Sequence, residues 1–138
     1  MKRYSDAVWR GPGRDGRGHL TTESKALVQM QYSFDSRFGD MPGANPEELI
    51  AAAHAGCFTM KLSFVLGEAG FVAEQIETRS YINFEKGAIS GSHLVVKARI
   101  PGISEEVFEA SVKDAEVNCP VSRVLNGKIT VEATLMEG

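Results

Sequence analysis

The most apolar stretch of the chain runs from Leu49 to Phe71, broken by His54, Lys61 and Glu68. Ahead of it stands Asn45-Pro46-Glu47-Glu48. Asparagine suits an N-cap, proline suits the first helical position, and first-turn glutamates favour the positive end of the helix dipole. The pattern predicts a helix from Pro46 to Glu68-Ala69, stopped by Gly70. Its interior has no clear polar face and is rich in small residues, Ala51, Ala52, Ala53, Ala55 and Gly56. A helix that is apolar nearly all round is buried on more than one side. One small domain can hardly enclose it, so a partner subunit is expected.

Before the helix the positions read as short strands, Tyr4 to Trp9 and His19 to Ser24, with a weaker third through Leu27 to Tyr32. The first two are joined by a glycine-rich turn, Gly11-Pro12-Gly13-Arg14-Asp15-Gly16-Arg17-Gly18. A loop is expected from Phe34 to Ala44. After the helix, the alternation Ile76, Thr78, Ser80, Ile82, Phe84 predicts an antiparallel hairpin. Its strands are Ala73 to Lys86 and Gly91 to Ile100, turning at Gly87 to Ser90. Ser104-Glu105-Glu106 opens a helix to Val117, which Cys119-Pro120 interrupts. A short helix, Val121 to Leu125, then leads to a last strand, Lys128 to Leu135. Strands and helices are segregated along the chain, which predicts the α+β class.

At 138 residues the chain fits a single domain, 1–138, and 43% hydrophobic residues can fill a core. A net charge of -3 leaves no electrostatic footprint for nucleic acid. Met1 to Asp6 has no apolar run behind its charges, so a secretory leader is not expected. The titratable positions within the long helix argue against a bilayer span. A soluble cytoplasmic protein, without membrane or nucleic-acid partners, is the expectation.

Only two cysteines occur, Cys57 and Cys119. In a reducing compartment a bridge between them would be transient and functional; two small packed hydrophobes are the plainer alternative. Cys57 falls in mid-helix with Ala53, Met60 and Phe64 on its face. Apolar surroundings raise a thiol's pKa, so a reactive Cys57 needs a cation from elsewhere in the fold. Arg14, Arg17 and Arg37 are the candidates, all in expected loops. Arg37 lies between Phe34 and Phe38 and so invites an ionic partner. Glu47 precedes Cys57 by about 15 Å of helix axis and cannot reach it on its own helix. It could do so from a second subunit, although a simple first-turn acid is the plainer alternative. Cys119, ahead of Pro120, sits near the start of a short helix, where a thiolate is favoured. Local chemistry therefore leaves open which cysteine attacks. His54-x-x-Cys57 with Cys119 and His93 makes a weak zinc pattern without a Cys-x-x-Cys pair, and a packed, hydrogen-bonded His54 fits better.

The segments Asn45 to Phe58 (NPEELIAAAHAGCF), Leu66 to Phe71 (LGEAGF), Pro101 to Ile103 (PGI) and Asn118 to Leu125 (NCPVSRVL) resemble the OsmC/Ohr family of osmotically inducible and organic-hydroperoxide-resistance proteins. The resemblance extends over nearly the whole chain. YSFDSRF (Tyr32 to Phe38) and LGEAGF look closer to the OsmC branch.

The resemblance implies an OsmC-like fold, with antiparallel sheets wrapped around long central helices in an intertwined homodimer and two active sites at its interface. It implies a two-cysteine hydroperoxide reductase acting in oxidative and osmotic stress. Cys57 becomes the peroxidatic cysteine, with Gly56 where many relatives have alanine, and Cys119 the resolving one. Arg37, held by Glu47, would activate the thiolate; Pro12-Gly13-Arg14-Asp15-Gly16 partly resembles the turn that carries the Ohr-branch arginine. Met60 and Phe64 would suit the alkyl part of an organic hydroperoxide. A dithiol reductant, of the lipoyl type in the Ohr branch, would restore both thiols, with no metal or organic cofactor. A redox-sensing or ligand-binding dimer using the same cysteines is the alternative.

Overall fold

The computed structural model describes residues 1–137. They fall into two compact units, Met1–Leu49 and the stretch from Ile50 onward.

The first unit is an antiparallel sheet of β1 (Ser5–Arg10), β2 (Arg17–Thr22) and β3 (Met30–Tyr32), in that order. Gly18 on β2 passes beneath the tilted rings of Trp9 and Tyr32, whose centroids are 5.4 Å apart. A Cβ there would lie 2.5 Å from Trp9 Cε3, so only glycine lets the strands carry both rings. Every residue of β1 is exposed.

Where a loop was expected from Phe34 to Ala44, Phe34–Phe38 forms a short helix, α1. Ser33 and Ser36 cap it reciprocally. Ser36 N–H donates to Ser33 Oγ at 3.1 Å, and Ser33 N–H donates to Ser36 Oγ at 2.8 Å. Arg37 therefore sits on a helix and Arg17 on a strand, neither in the loop expected of it. Helix α2 (Pro46–Glu68) starts as the sequence predicts, with Glu48 N–H donating to Asn45 Oδ1 at 2.7 Å. It ends in a Schellman turn. Gly70 takes φ +90, Phe71 N–H reaches the Leu66 carbonyl at 2.9 Å, and Gly70 N–H reaches that of Gly67 at 3.1 Å.

In the second unit β4 (Gln75–Glu85) and β5 (Ala88–Arg99) form the expected hairpin. Its turn is tighter than Gly87 to Ser90: Lys86 and Gly87 alone make it, both at positive φ. One join departs from the all-antiparallel expectation, because β6 (Lys128–Met136) lies parallel to β5. The intervening chain forms α3 (Glu105–Asn118) and α4 (Pro120–Val124), and such a crossover returns the chain to the end of the sheet where β5 began.

The core lies between α2, α3 and the middle strand. Phe58, Leu62 and Leu66 recur at helical spacing on α2, Leu94, Val96 and Ala98 alternate along β5, and Phe108, Val112 and Ala115 come from α3. Length and a mean hydropathy of 1.6 would by themselves let α2 cross a membrane. Within this chain 28% of that apolar window is buried, on the stripe that packs in the core.

Candidate active site

Cys57 lies on α2 and Cys119 at the junction of α3 and α4. Both thiols are free, and Cys57 packs against the core cluster that holds Cys119, close enough for the two to bear on each other's titration. Cys57 is partly exposed, whereas Cys119 is completely buried. Burial pushes the Cys57 thiol above its ordinary value, the Val121 N–H of α4 pulls it down, Cys119 pushes it up again and Lys61 pulls weakly against that. Lys61, one turn further along α2, is a nearby cation that the sequence argument overlooked although the i, i+4 spacing shows it. Met60 and Phe64 are 64% and 66% exposed, so neither is spent on this chain's core.

One turn before Cys57, His54 is fully buried. Its Nδ1 pairs with Ser92 Oγ on β5 and its Nε2 with Ser122 Oγ on α4, each at 2.6 Å. Burial pushes the imidazole below its ordinary value, so the ring is held neutral. This is the packed, hydrogen-bonded histidine the sequence favoured. His93 has other partners, Thr130 and Glu132 on β6. Among the described residues no three His, Cys, Asp or Glu side chains gather into a metal-binding group.

In the first unit Arg37 holds Glu47 through a two-pronged ion pair. Nε donates to Oε1 at 2.9 Å and Oε2 at 3.2 Å, and Nη2 donates to Oε1 at 2.6 Å. Glu47 is therefore more than a first-turn acid; capping falls to Asn45 and Glu48. Arg37 lies over the Phe38 ring at 4.9 Å, Arg14 over the Phe34 ring at 4.4 Å, and the two rings are 5.0 Å apart. Arg14 and Arg37, alternatives in sequence, thus flank one aromatic pair. Arg17 Nη1 instead donates to the Gly16 carbonyl at 2.9 Å.

A family model described as OsmC-like protein matches residues 38–134. The chain belongs to the OsmC-like protein family. This OsmC-like protein is 42% identical over 139 residues to Peroxiredoxin OsmC of Escherichia coli (strain K12), across 98% of this chain and 97% of that one. It is 33% identical over 95 residues to Organic hydroperoxide resistance protein OhrA of Bacillus subtilis (strain 168), across 67% of each. Among solved structures, the OsmC like protein from Mycoplasma pneumoniae superposes with a TM-score of 0.78 at 16% identity, over 99% of this chain and 98% of that one. An organic hydroperoxide resistance protein from Elizabethkingia anophelis does so with a TM-score of 0.70 at 24% identity, over 100% and 99%. The α+β architecture is thus the OsmC-like fold.

Proposed function

We propose that this OsmC-like protein is a thiol-dependent peroxidase that reduces organic hydroperoxides, and hydrogen peroxide as well, in a cytoplasmic setting. The observation that carries the reading is the neighbouring pair of free thiols in one core cluster, of which only Cys57 meets solvent. The relatives named for peroxiredoxin activity and organic hydroperoxide resistance support it.

In this reading the Cys57 thiolate attacks the outer peroxide oxygen. The O–O bond breaks, the alkoxide takes a proton and leaves as alcohol, and Cys57 becomes a sulfenic acid. The Cys119 thiol attacks that sulfur, a disulfide forms and the oxygen leaves as water. An external dithiol, of the lipoyl type, exchanges with the disulfide and is itself oxidised. Arg37, oriented by Glu47, supplies the cation that the Cys57 thiolate needs and polarises the peroxide. Met60 and Phe64 receive the alkyl group. The working form is a homodimer, supported by the uncovered apolar residues Ala52, Ala53, Gly56, Met60 and Phe64 on α2 and by the wholly exposed β1.

The test follows consumption of cumene hydroperoxide with excess dithiol. Wild type should turn over repeatedly, Cys57→Ser should consume none, and Cys119→Ser should consume one equivalent before inactivation. A single stoichiometric oxidation of wild type would instead favour a redox sensor. Activity surviving in Cys57→Ser but lost in Cys119→Ser would reverse the two roles.

A further inference from the structure

The proposed redox cycle makes no use of His54, although the fold buries it completely and gives both ring nitrogens a partner. A neutral imidazole has one N–H and one lone pair. One serine hydroxyl must therefore accept from the ring and the other donate to it, so the two bonds fix the ring's orientation. Ser92 is further tied to Ser80 at 2.9 Å, which anchors that side of the ring in the β4–β5 sheet. The other side reaches Ser122, in the middle of α4.

Helix α4 is only five residues long, and its N-cap, Cys119, makes no side-chain capping bond. Arg123 and Val124 point to solvent. What ties the helix down is Cys119 at its start, buried in the core cluster, Val121 packed against that cluster, and, beyond them, Ser122, bonded to His54. The resolving thiol and the Val121 N–H that lowers the Cys57 pKa lie at the buried start of this segment, and Ser122 is the polar tie that holds its outer part. His54 rides on the same helix as Cys57, one turn away. The ring thus joins the helix that carries one cysteine to the helix that starts at the other.

We propose that His54 is a positioning residue for disulfide closure, holding α4 through Ser122 so that the Cys119 thiol stays against Cys57. The inference rests on the two-cysteine reading above. After the first oxidation the Cys57 sulfenic acid has two fates. Attack by the Cys119 thiol forms the disulfide and releases water. Attack on a second hydroperoxide transfers another oxygen, giving a sulfinic acid and a second alcohol. The first fate is intramolecular, so its rate follows the effective concentration of Cys119 at Cys57, and a tether on α4 raises that concentration. The second gains nothing from the tether. His54 and Ser122 therefore bias the partition toward the reversible product.

The test is Ser122→Ala in the full chain. The first equivalent of cumene hydroperoxide should be consumed within about twofold of the wild-type rate, while disulfide closure slows about tenfold, the loss expected for one net hydrogen bond. The sulfinic fraction per turnover, read by intact mass, should rise accordingly, and Ser122→Thr, which keeps the hydroxyl, should restore closure. Thr78→Val is the control for general loosening, since it removes the 2.6 Å bond from Thr59 on α2 to β4 and leaves α4 tethered. It should close at the wild-type rate. Wild-type closure in Ser122→Ala, or equal slowing in Thr78→Val, would overturn the inference. Closure is also measured from a Cys57–glutathione mixed disulfide, which needs no peroxide. Slowing there in Ser122→Ala upholds the tether even if the peroxidase reading fails, and unchanged closure there overturns the tether alone.

Discussion

The two polar clusters of this chain handle charge in opposite ways. Arg37 and Glu47 meet in a two-pronged ion pair at 36% and 15% side-chain exposure, flanked by the Phe34–Phe38 rings. His54 and Cys57 sit among core side chains where charge is disfavoured: burial lowers one group's pKa and raises the other's, and both are held neutral. The first cluster offers a charge without a nucleophile, and the second a nucleophile without enough charge. Lys61 and the Val121 N–H do not offset the burial of Cys57. A fast thiol therefore needs more positive potential than the second unit provides by itself, which is why the proposed activity calls on Arg37.

The contrast predicts that the two clusters fail differently. Phe58 is fully buried in the α2 stripe, and Phe58→Ala should cost about 3–5 kcal/mol of stability in urea unfolding, with activity lost only as the fold is lost. Arg37→Met should cost about 1 kcal/mol, as expected for a partly exposed pair, yet lower kcat/KM by about 10²–10³-fold. Arg37→Lys keeps the charge but not the fork, and should fall between wild type and Arg37→Met. If Arg37→Met unfolded the chain as readily as Phe58→Ala, the first cluster would be structural and the comparison would collapse.

The same contrast decides what could be seen in the sequence. Helix α2 was legible from end to end because its signals are local: Asn45-Pro46, the acidic first turn and Gly70. The hairpin and α3 were legible for the same reason. Helix α1 was missed because its capping box uses serine at both positions, where the usual signature has Glu or Gln at the second. The parallel seating of β6 was missed because strand direction depends on where the crossover returns the chain, which no window of residues records. In the candidate site, Arg37's flanking phenylalanines foretold a partner, but Glu47 was identified as that partner by resemblance alone. The bonds of His54 span 38 and 68 residues, to serines that look in sequence like any others.

A smaller effect separates the clusters by pH. His54 titrates lower in the fold than its ordinary value of 6.5. Its contribution to stability is thus complete above that value and is lost as pH falls through it, because the unfolded chain takes up the proton first. One such group adds at most about 1.4 kcal/mol per pH unit to the slope. Urea midpoints for wild type and His54→Asn between pH 7.5 and 5.5 should converge on acidification (the pH limits being about one unit either side of an ordinary histidine). Parallel curves would mean that the ring titrates normally and that the buried cluster tolerates charge.

The smallest expected effect tests whether the first cluster depends on the local fold that carries it. Ser33→Ala removes the oxygen that accepts Ser36 N–H and should cost about 1 kcal/mol, the usual worth of an N-cap. The buried Ser36 hydroxyl, which donates to the Ala44 carbonyl at 2.8 Å, still ties α1 to the start of α2. Arg37 should therefore keep its hold on Glu47, and kcat/KM should fall by no more than about threefold, far less than for Arg37→Met. A loss as large as that of Arg37→Met would show that α1 itself, and not the ion pair, sets the guanidinium in place. The first cluster would then depend on its backbone as closely as the second depends on its core.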